Sequence, residues 1–218
     1  PEVDIRTTQD GILVCIHDKT PERTLSAPNE WADKSIREIP YSLLKSWDAG
    51  SYFDATYSDA KVPTLSALLE KLAARPESQL YLDLKDVENA AVVAMIMKYK
   101  VSPQIIFVHG SPKACLALSK SWPGARTMTW LSGPPARIKS RFRNLAESGF
   151  EGIDQIQLHL KPDADEVPGK YQLGAAFLQE AVDTAQASGT TLQVRPFIFD
   201  TKSLRALIDM KIHWYVAD

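Results

Sequence analysis

The chain has 218 residues, of which 44% are hydrophobic and 24% are charged, and its 25 basic and 27 acidic residues give a net charge of −2. This balance excludes nucleic-acid binding by bulk positive charge and attachment to a membrane through a polybasic surface. The longest apolar run, at 90–97, is far shorter than the roughly 20 residues that span a bilayer. We therefore expect a globular protein with a sizeable core and no transmembrane segment.

Segments rich in β-branched and aliphatic residues alternate with helical patterns along the whole chain. Near the amino terminus, Pro1–Ile5 and Ile12–His17 flank the turn signal TQDG at 8–11, which predicts a hairpin. Thr64 precedes an apolar stripe at helical spacing and is a suitable N-cap residue. The main strands are expected at 1–5, 80–85, 104–109, 126–130, 152–159, 192–197 and 212–216. Helices are expected at 65–75, 88–100, from 112 onward, 135–148, 173–188 and 201–210.

This order of elements predicts an α/β fold with a mostly parallel sheet. Two architectures fit it: an open doubly wound sheet, and a TIM-type (β/α)8 barrel that lacks one unit. An open sheet for dinucleotides would carry a glycine-rich fingerprint after its first strand, and none is present. A barrel explains why charged residues stand at strand ends. No linker or repeat divides the chain, so we expect one domain over 1–218 with an irregular insertion at about 18–62.

Glu2 and Asp4 form a carboxylate pair, because alternate residues of a strand point to the same face. Adjacent carboxylates repel each other unless a cation lies between them, and hard divalent cations prefer oxygen ligands. Considered alone, the pair is better explained as a solvated strand start. If Asp10 and Gly11 form a two-residue hairpin loop, however, Asp4 lies opposite His17. An imidazole beside the carboxylates would serve as a ligand or a general acid–base, and the combination favours a functional site.

The strand at 80–85 carries a second group of charges. Leu82 and Leu84 face a helix layer, whereas Tyr81, Asp83 and Lys85 face the other side, which is the barrel interior or its mouth. Unpaired buried charges are costly. Asp83 and Lys85 are therefore expected either to form a structural ion pair or to act as a third metal ligand and an anion contact. The second alternative suits a phosphate substrate.

Together these motifs resemble the glycerophosphodiester phosphodiesterase family. The stretch EVDIRTTQDGILVCIHDKTPERTL at 2–25 contains that family's pattern of E-x-D, T-x-D-G and H-D. VPTL at 62–65, LDLK at 82–85 and the final HWYVAD at 213–218 also match in order. The resemblance implies a TIM-barrel fold and metal-dependent hydrolysis of glycerophosphodiesters to an alcohol and glycerol 3-phosphate, with Ca²⁺ or Mg²⁺ as the cofactor.

The resemblance also implies roles for individual residues. Glu2, Asp4 and Asp83 are the implied metal ligands, and Asp83 stands where the family usually has a glutamate, so its reach to the metal is shorter. His17 is implied as one of two catalytic histidines, the general acid that protonates the leaving alcohol. Lys85 matches the family's phosphate-contacting lysine.

The family's first strand, with its His-Arg pair, has no counterpart upstream of residue 1, so we expect the sequence to be part of a longer protein that also continues into a final helix. The barrel would then be incomplete, with strands 2–8 present. His109, at a strand end, is expected to contact substrate or to replace the missing histidine. Arg195 is a candidate phosphate contact, although a structural arginine facing inward fits its position as well.

Two other functions remain open. A phospholipase-D or lysophospholipase-D-type activity on the same barrel would act on long-chain lysolipids. A non-catalytic barrel would bind diesters or metal without turnover. The expected partner is a small-molecule glycerophosphodiester and not a nucleic acid, whereas the compartment and the oligomeric state stay open.

Overall fold

The structure is a computed structural model that describes residues 1–165, 167, 169–198 and 200–216. The chain divides between Phe107 and Val108 into two compact units. Helices and strands alternate in each unit. None of the described helices has the length and apolar character that crossing a bilayer requires.

In the first unit, strand β1 (Glu2–Thr7) carries two of the predicted metal ligands. It lies between β2 (Leu13–Cys15), to which it is antiparallel, and β3 (Leu80–Asp86), to which it is parallel. Thr64 caps the helix α3 (Leu65–Ala73) as predicted, because its Oγ1 accepts a hydrogen bond from the Ala67 N–H at 3.2 Å. The elements are, in chain order, β1 (Glu2–Thr7), β2 (Leu13–Cys15), α1 (Asn29–Ala32), α2 (Tyr41–Leu44), α3 (Leu65–Ala73), β3 (Leu80–Asp86), α4 (Asn89–Tyr99) and the first part of β4 (Ile105–His109).

The hairpin between β1 and β2 differs from the predicted one by one residue. Asp4 lies beside Ile16, whose N–H donates to the Asp4 carbonyl at 2.9 Å, and the prediction that Asp4 lies opposite His17 is wrong. The loop has three residues because the Thr8 N–H donates to the Ile12 carbonyl at 3.0 Å. Its last residue is a glycine with a φ of +78°, the left-handed conformation that ends such loops. The paired residues are Ile5 and Cys15, Arg6 and Val14, and Thr7 and Leu13.

The segment at 18–62 is less irregular than the sequence predicts, because it contains α1, α2, short 3-10 turns and an apolar cluster. Asp48 organises its last loop: the carboxylate accepts hydrogen bonds from the N–H groups of Ser51, Gly50 and Asp59 at 2.7 to 2.9 Å. These bonds hold the pKa of Asp48 well below its usual range. The buried apolar residues of the cluster are Val14, Ile16, Leu25, Ile36, Ile39, Leu44, Trp47 and Val62.

In the second unit, β6 (Gln155–Leu160) lies between β5 (Arg126–Leu131) and β7 (Thr191–Pro196) and is parallel to both. Ile156 and Leu158 of β6 join the apolar core formed with the helices, so Gln157 and His159 face the other side of the sheet. The elements are the last part of β4, α5 (Pro112–Ser121), β5 (Arg126–Leu131), α6 (Pro135–Glu147), β6 (Gln155–Leu160), α7 (Ala175–Ala187), β7 (Thr191–Pro196) and α8 (Thr201–Asp209).

The strand expected at 212–216 is reduced to a single bridge between Tyr215 and Val194 of β7. The Val194 N–H donates to the Trp214 carbonyl at 3.0 Å, and the Val216 N–H donates back to the Val194 carbonyl at 2.9 Å. Within the described residues, Val194 is the one residue of β7 paired in this way, which is too little for a strand ladder. The last two residues of the HWYVAD match lie outside the described residues.

Candidate active site

Three carboxylates converge on β1 and β3. Glu2, Asp4 and Asp83 each offer an oxygen atom, and these atoms all lie within 4.8 Å of one another. The register explains the convergence, because Asp4 and Asp83 are direct neighbours across the two strands and Glu2 shares a face with Asp4. The side chain of Asp83 is buried. The structure thus brings together the three residues that the sequence predicts as metal ligands.

The ammonium group of Lys85 lies against two of these carboxylates. Its Nζ is 3.0 Å from Oδ1 of Asp4 and 2.7 Å from Oδ2 of Asp83. Burial disfavours the charge on Lys85, but the hydrogen bonds and the attraction of Asp83 and Asp4 outweigh it and raise the pKa of Lys85. The ion pair expected from the sequence is therefore present, and it lies at the carboxylate cluster.

The cluster carries more negative charge than Lys85 balances. Burial, followed by repulsion from Asp4 and Asp83, raises the pKa of Glu2 to about 7, although Lys85 and His17 act in the opposite direction. Three carboxylates against one ammonium leave an excess that a divalent cation would neutralise, and carboxylate oxygens are the ligands that Ca²⁺ and Mg²⁺ prefer. The donor set fits a hard divalent cation.

His17 lies just beyond β2, and its side chain is 69% exposed. Its Nδ1 is 2.8 Å from Oδ1 of Asp18, and Arg23 donates two hydrogen bonds to the same carboxylate at 2.7 and 2.8 Å. Although the hairpin register is not the predicted one, the charge of His17 opposes the rise in the pKa of Glu2 that burial and the other carboxylates cause. With Nδ1 engaged by Asp18, Nε2 is the nitrogen left for proton transfer.

Three residues that support His17 were not assigned this role from the sequence. The hydrogen bond from Arg23, assisted by His17, lowers the pKa of Asp18 and keeps it anionic beside the imidazole. Arg6 donates to the His17 carbonyl through Nε and Nη2 at 3.1 and 2.9 Å. The sequence signal for Asp18 is its place directly after His17, whereas no spacing pattern predicts the contact of Arg6.

The other predicted substrate contacts, His109 and Arg195, lie in the second unit. Nδ1 of His109 accepts a hydrogen bond from the Ser111 N–H at 2.9 Å. Arg195 lies opposite His159 in the register of β6 and β7, and its guanidinium carbon is 5.6 Å from the ring centroid of Phe197. Contact of His109 and Arg195 with substrate remains a prediction.

The curated relatives of this chain include two proteins named glycerophosphodiester phosphodiesterase. A glycerophosphodiester phosphodiesterase from Bacillus subtilis is 26% identical over 181 residues, which are 74% of this chain and 57% of that protein. A glycerophosphodiester phosphodiesterase from Caldanaerobacter subterraneus is 36% identical over 69 residues, which are 32% of this chain and 26% of that protein. The matches span 57% and 26% of the length of these two curated relatives, so each covers only part of the relative.

Solved structures show the same fold, and a family model matches almost the whole sequence. A glycerophosphodiester phosphodiesterase from Agrobacterium tumefaciens matches with a TM-score of 0.72 at 21% identity, over 98% of this chain and 81% of that chain. A phosphodiesterase from Oleispira antarctica, in complex with the product sn-glycerol-3-phosphate, matches with a TM-score of 0.67 at 23% identity, over 99% and 78% of the two chains. The predicted α/β fold of the TIM-barrel type is confirmed. Because the family model matches residues 2–218, the chain belongs to the glycerophosphoryl diester phosphodiesterase family.

Proposed function

We propose that this protein hydrolyses glycerophosphodiesters to an alcohol and sn-glycerol 3-phosphate, with Ca²⁺ or Mg²⁺ held by Glu2, Asp4 and Asp83. The observation that carries the proposal is the convergence of these carboxylates with the ammonium of Lys85. Membership of the family supports the reaction. The product named for the Oleispira antarctica relative supports the class of substrate.

Two positive charges would stabilise the phosphate of the substrate: the cation held by the carboxylates and the ammonium group of Lys85. Glu2, Asp4 and Asp83 would hold the divalent cation, which would polarise a phosphate oxygen as a Lewis acid. Lys85 adds a fixed positive charge beside it, and a positive charge so placed stabilises the negative charge that builds up on the phosphate oxygens. The contacts of Lys85 with Asp4 and Asp83 hold its side chain at the cluster before substrate arrives.

His17 provides the proton for the leaving alcohol. In its charged form the imidazole donates from Nδ1 to Asp18 and carries a second proton on Nε2. This proton passes to the alcohol oxygen as the bond from phosphorus to that oxygen breaks, while the oxygen of a water molecule forms the new bond to phosphorus and that water releases a proton to solvent. Asp18 is a positioning residue, because it fixes the ring and stabilises the imidazolium without touching the substrate. Arg23 in turn holds Asp18 in place.

The proposal is tested by release of sn-glycerol 3-phosphate from water-soluble glycerophosphodiesters. We expect activity that a chelator abolishes and that Ca²⁺ or Mg²⁺ restores. Asp83→Asn should abolish it, whereas Asp86→Asn on the same strand should not, because Asp86 pairs with Arg37 outside the cluster. Binding of metal or diester without any product would support the non-catalytic barrel instead.

A second candidate function, a lysophospholipase-D-type activity, is favoured by exposed aromatic residues on the loop that Asp48 organises. Tyr52, Phe53 and Tyr57 are 56%, 76% and 55% exposed, and the rings of Phe53 and Tyr57 are 5.8 Å apart. Exposed aromatic groups of this kind suit contact with an acyl chain or a lipid surface.

The two candidate functions can be distinguished by comparing the rates at which the protein hydrolyses a lysolipid and the corresponding deacylated diester. If lysolipids are the substrates, Phe53→Ser should lower the rate on the lysolipid several-fold and leave the rate on the soluble diester unchanged. A wild-type enzyme that hydrolyses only the soluble diester would exclude the second candidate.

A further inference from the structure

Arg6 connects β1 to the histidine proposed above as the general acid. Its Nε and Nη2 donate to the carbonyl oxygen of His17 at 3.1 and 2.9 Å. Arg6 shares a face of β1 with Glu2 and Asp4, because alternate residues of a strand point to the same side. One guanidinium group thus ties the backbone of His17 to the strand that carries two of the three clustered carboxylates.

A bulge in β3 determines which side chain lies opposite Arg6. Ile5 pairs with Leu84, and the register then jumps so that Arg6 lies opposite Asp86, with Lys85 as the extra residue. An uninterrupted register would place Arg6 opposite Lys85, and like charges at neighbouring positions of a sheet repel each other. Bulges of this kind re-aim side chains and are common beside active sites. The bulge therefore keeps the two cations apart and places Arg6 next to a carboxylate.

The position of His17 depends on hydrogen bonds more than on packing. Its side chain is 69% exposed, and the backbone bond from the Ile16 N–H to the Asp4 carbonyl ends one residue before it. The contact of Nδ1 with Asp18 orients the ring, whereas Arg6 holds the backbone from which the ring extends. Proton transfer needs Nε2 within hydrogen-bond reach of the reacting oxygen, so a small displacement of this backbone is costly.

We propose that Arg6 is a positioning residue for general-acid catalysis, because it holds His17 where Nε2 reaches the oxygen of the leaving alcohol. The inference rests on the hydrolytic function proposed above and adds a residue to it. In this role Arg6 acts through His17 and does not contact the substrate. A guanidinium suits the role, since its planar fork directs two donors at one oxygen, whereas a lysine carries its donors on a flexible stem.

Two substrates that differ only in the leaving group test the role: glycerophosphoethanolamine and the p-nitrophenyl ester of glycerol 3-phosphate. An alkoxide needs a proton as its bond to phosphorus breaks, whereas p-nitrophenolate is a stable anion and leaves without one. We expect Arg6→Met to lower kcat about tenfold or more on the first substrate, with KM and the rate on the second substrate within about twofold of wild type. Equal losses on both substrates would overturn the proposal, and so would an unchanged kcat on the first.

The double variant with His17→Ala shows whether Arg6 acts through the imidazole. If it does, Arg6→Met causes no further loss on glycerophosphoethanolamine once His17 is an alanine. A further loss of the same size as in the wild-type background would overturn the proposal. Arg143→Met is the matched control, because it removes an exposed arginine that pairs with Glu180 in the second unit and should leave the rates on both substrates unchanged.

The NMR signals of the His17 imidazole give a readout that does not depend on turnover. Arg6→Met should shift these signals in the whole chain without substrate and leave those of the exposed His213 unchanged. Unchanged signals of His17 would overturn the proposal. If Arg6→Met fails to fold, Arg6→Lys gives the same test, because it keeps the charge but loses the fork and should lower kcat on glycerophosphoethanolamine to a smaller extent.

The outcomes for wild type separate this inference from the function on which it rests. A wild-type protein that hydrolyses neither substrate would overturn the hydrolytic function itself. An active wild type combined with equal losses of Arg6→Met on both substrates would overturn only the role of Arg6.

Discussion

Asp4 and Asp83 lie directly opposite each other on the parallel strands β1 and β3, and the ammonium of Lys85 contacts both carboxylates. Like charges at neighbouring positions of a sheet repel each other, so this arrangement depends on a positive charge between them. Lys85 supplies one such charge, but Glu2 adds a third carboxylate. We therefore expect stability to be coupled to the binding of a divalent cation at the cluster.

Lys85→Met should reveal this coupling. Without its ammonium the two carboxylates lose their partner, and we expect the free energy of unfolding to fall by about 1–3 kcal/mol without metal. Ca²⁺ or Mg²⁺ should stabilise the variant more than the wild type, because the cation replaces the missing charge. Thermal unfolding with and without metal measures both effects.

Lys120→Met is the control for this prediction, because its ion pair with Glu151 is exposed and should contribute little to stability. Equal stabilisation of wild type and Lys85→Met by the metal ion would contradict the coupling.

The hydrogen-bonded pair of His17 and Asp18 should control turnover without affecting metal binding. His17→Ala should lower kcat by about 10²–10⁴-fold, the range typical of a lost general acid. Asp18→Asn should have a smaller effect, because the ring stays in place but its charged form loses its anionic partner. Steady-state kinetics and metal titration of the same preparations measure the two properties, with the exposed His213→Ala as the control. Activity of His17→Ala within about threefold of wild type would show that His17 is not the acid.

The carboxylate cluster could be predicted from the sequence because it follows from simple rules. Alternation along a strand places Glu2 and Asp4 on one face, and the order of strands brings Asp83 beside them. The register of the hairpin could not be predicted, because the Asp10-Gly11 signal fits loops of two and of three residues equally well. A shift of one residue changes which side chain lies opposite Asp4.

A second cluster could not be predicted, for a different reason: it joins Trp130, His159, Phe197 and Arg195 in the second unit. Trp130, His159 and Phe197 each stand near the end of a strand, where an aromatic side chain is as common in a core as in a binding site. Whether their rings meet depends on the register between neighbouring parallel strands, and that register is set by helices packed on the far side of the sheet. Arg195 was a candidate from the sequence, but its position opposite His159 became visible only in the structure.

Gly110 is required by the ring of Trp130. A Cβ atom added at Gly110 would lie 2.6 Å from Cζ2 of the indole, and the Gly110 carbonyl is held by a hydrogen bond from Nη2 of Arg141 at 3.0 Å. We expect Gly110→Ala to lower the free energy of unfolding by about 1–3 kcal/mol, as overpacking typically does. Urea denaturation of Gly110→Ala, Trp130→Leu and the double variant measures the coupling between the two positions. The smaller leucine side chain should relieve the collision with the added Cβ atom. A cost of Gly110→Ala that is the same in both backgrounds would show that Trp130 is not the cause.

The low pKa of His159 in the folded protein should make the free energy of unfolding decrease in acid. Burial and the charge of Arg195 lower its pKa from 6.5 to about 4, so the unfolded chain takes up this proton at a higher pH than the folded protein does. The contribution of His159 to stability is then complete above about pH 6.5 and is lost as the pH falls from there to about 4. Partial exposure of the ring reduces the size of the effect.

His159→Gln isolates this contribution because it removes the titrating group and keeps a side chain that can form hydrogen bonds near Gln157. We expect its stability to fall less steeply than that of wild type between about pH 6.5 and pH 4, so that the two curves converge in acid. Urea unfolding across this range measures the difference. His213→Gln, at an exposed position of the same unit, should follow the wild-type curve. Parallel curves for wild type and His159→Gln would show instead that other groups account for the acid sensitivity.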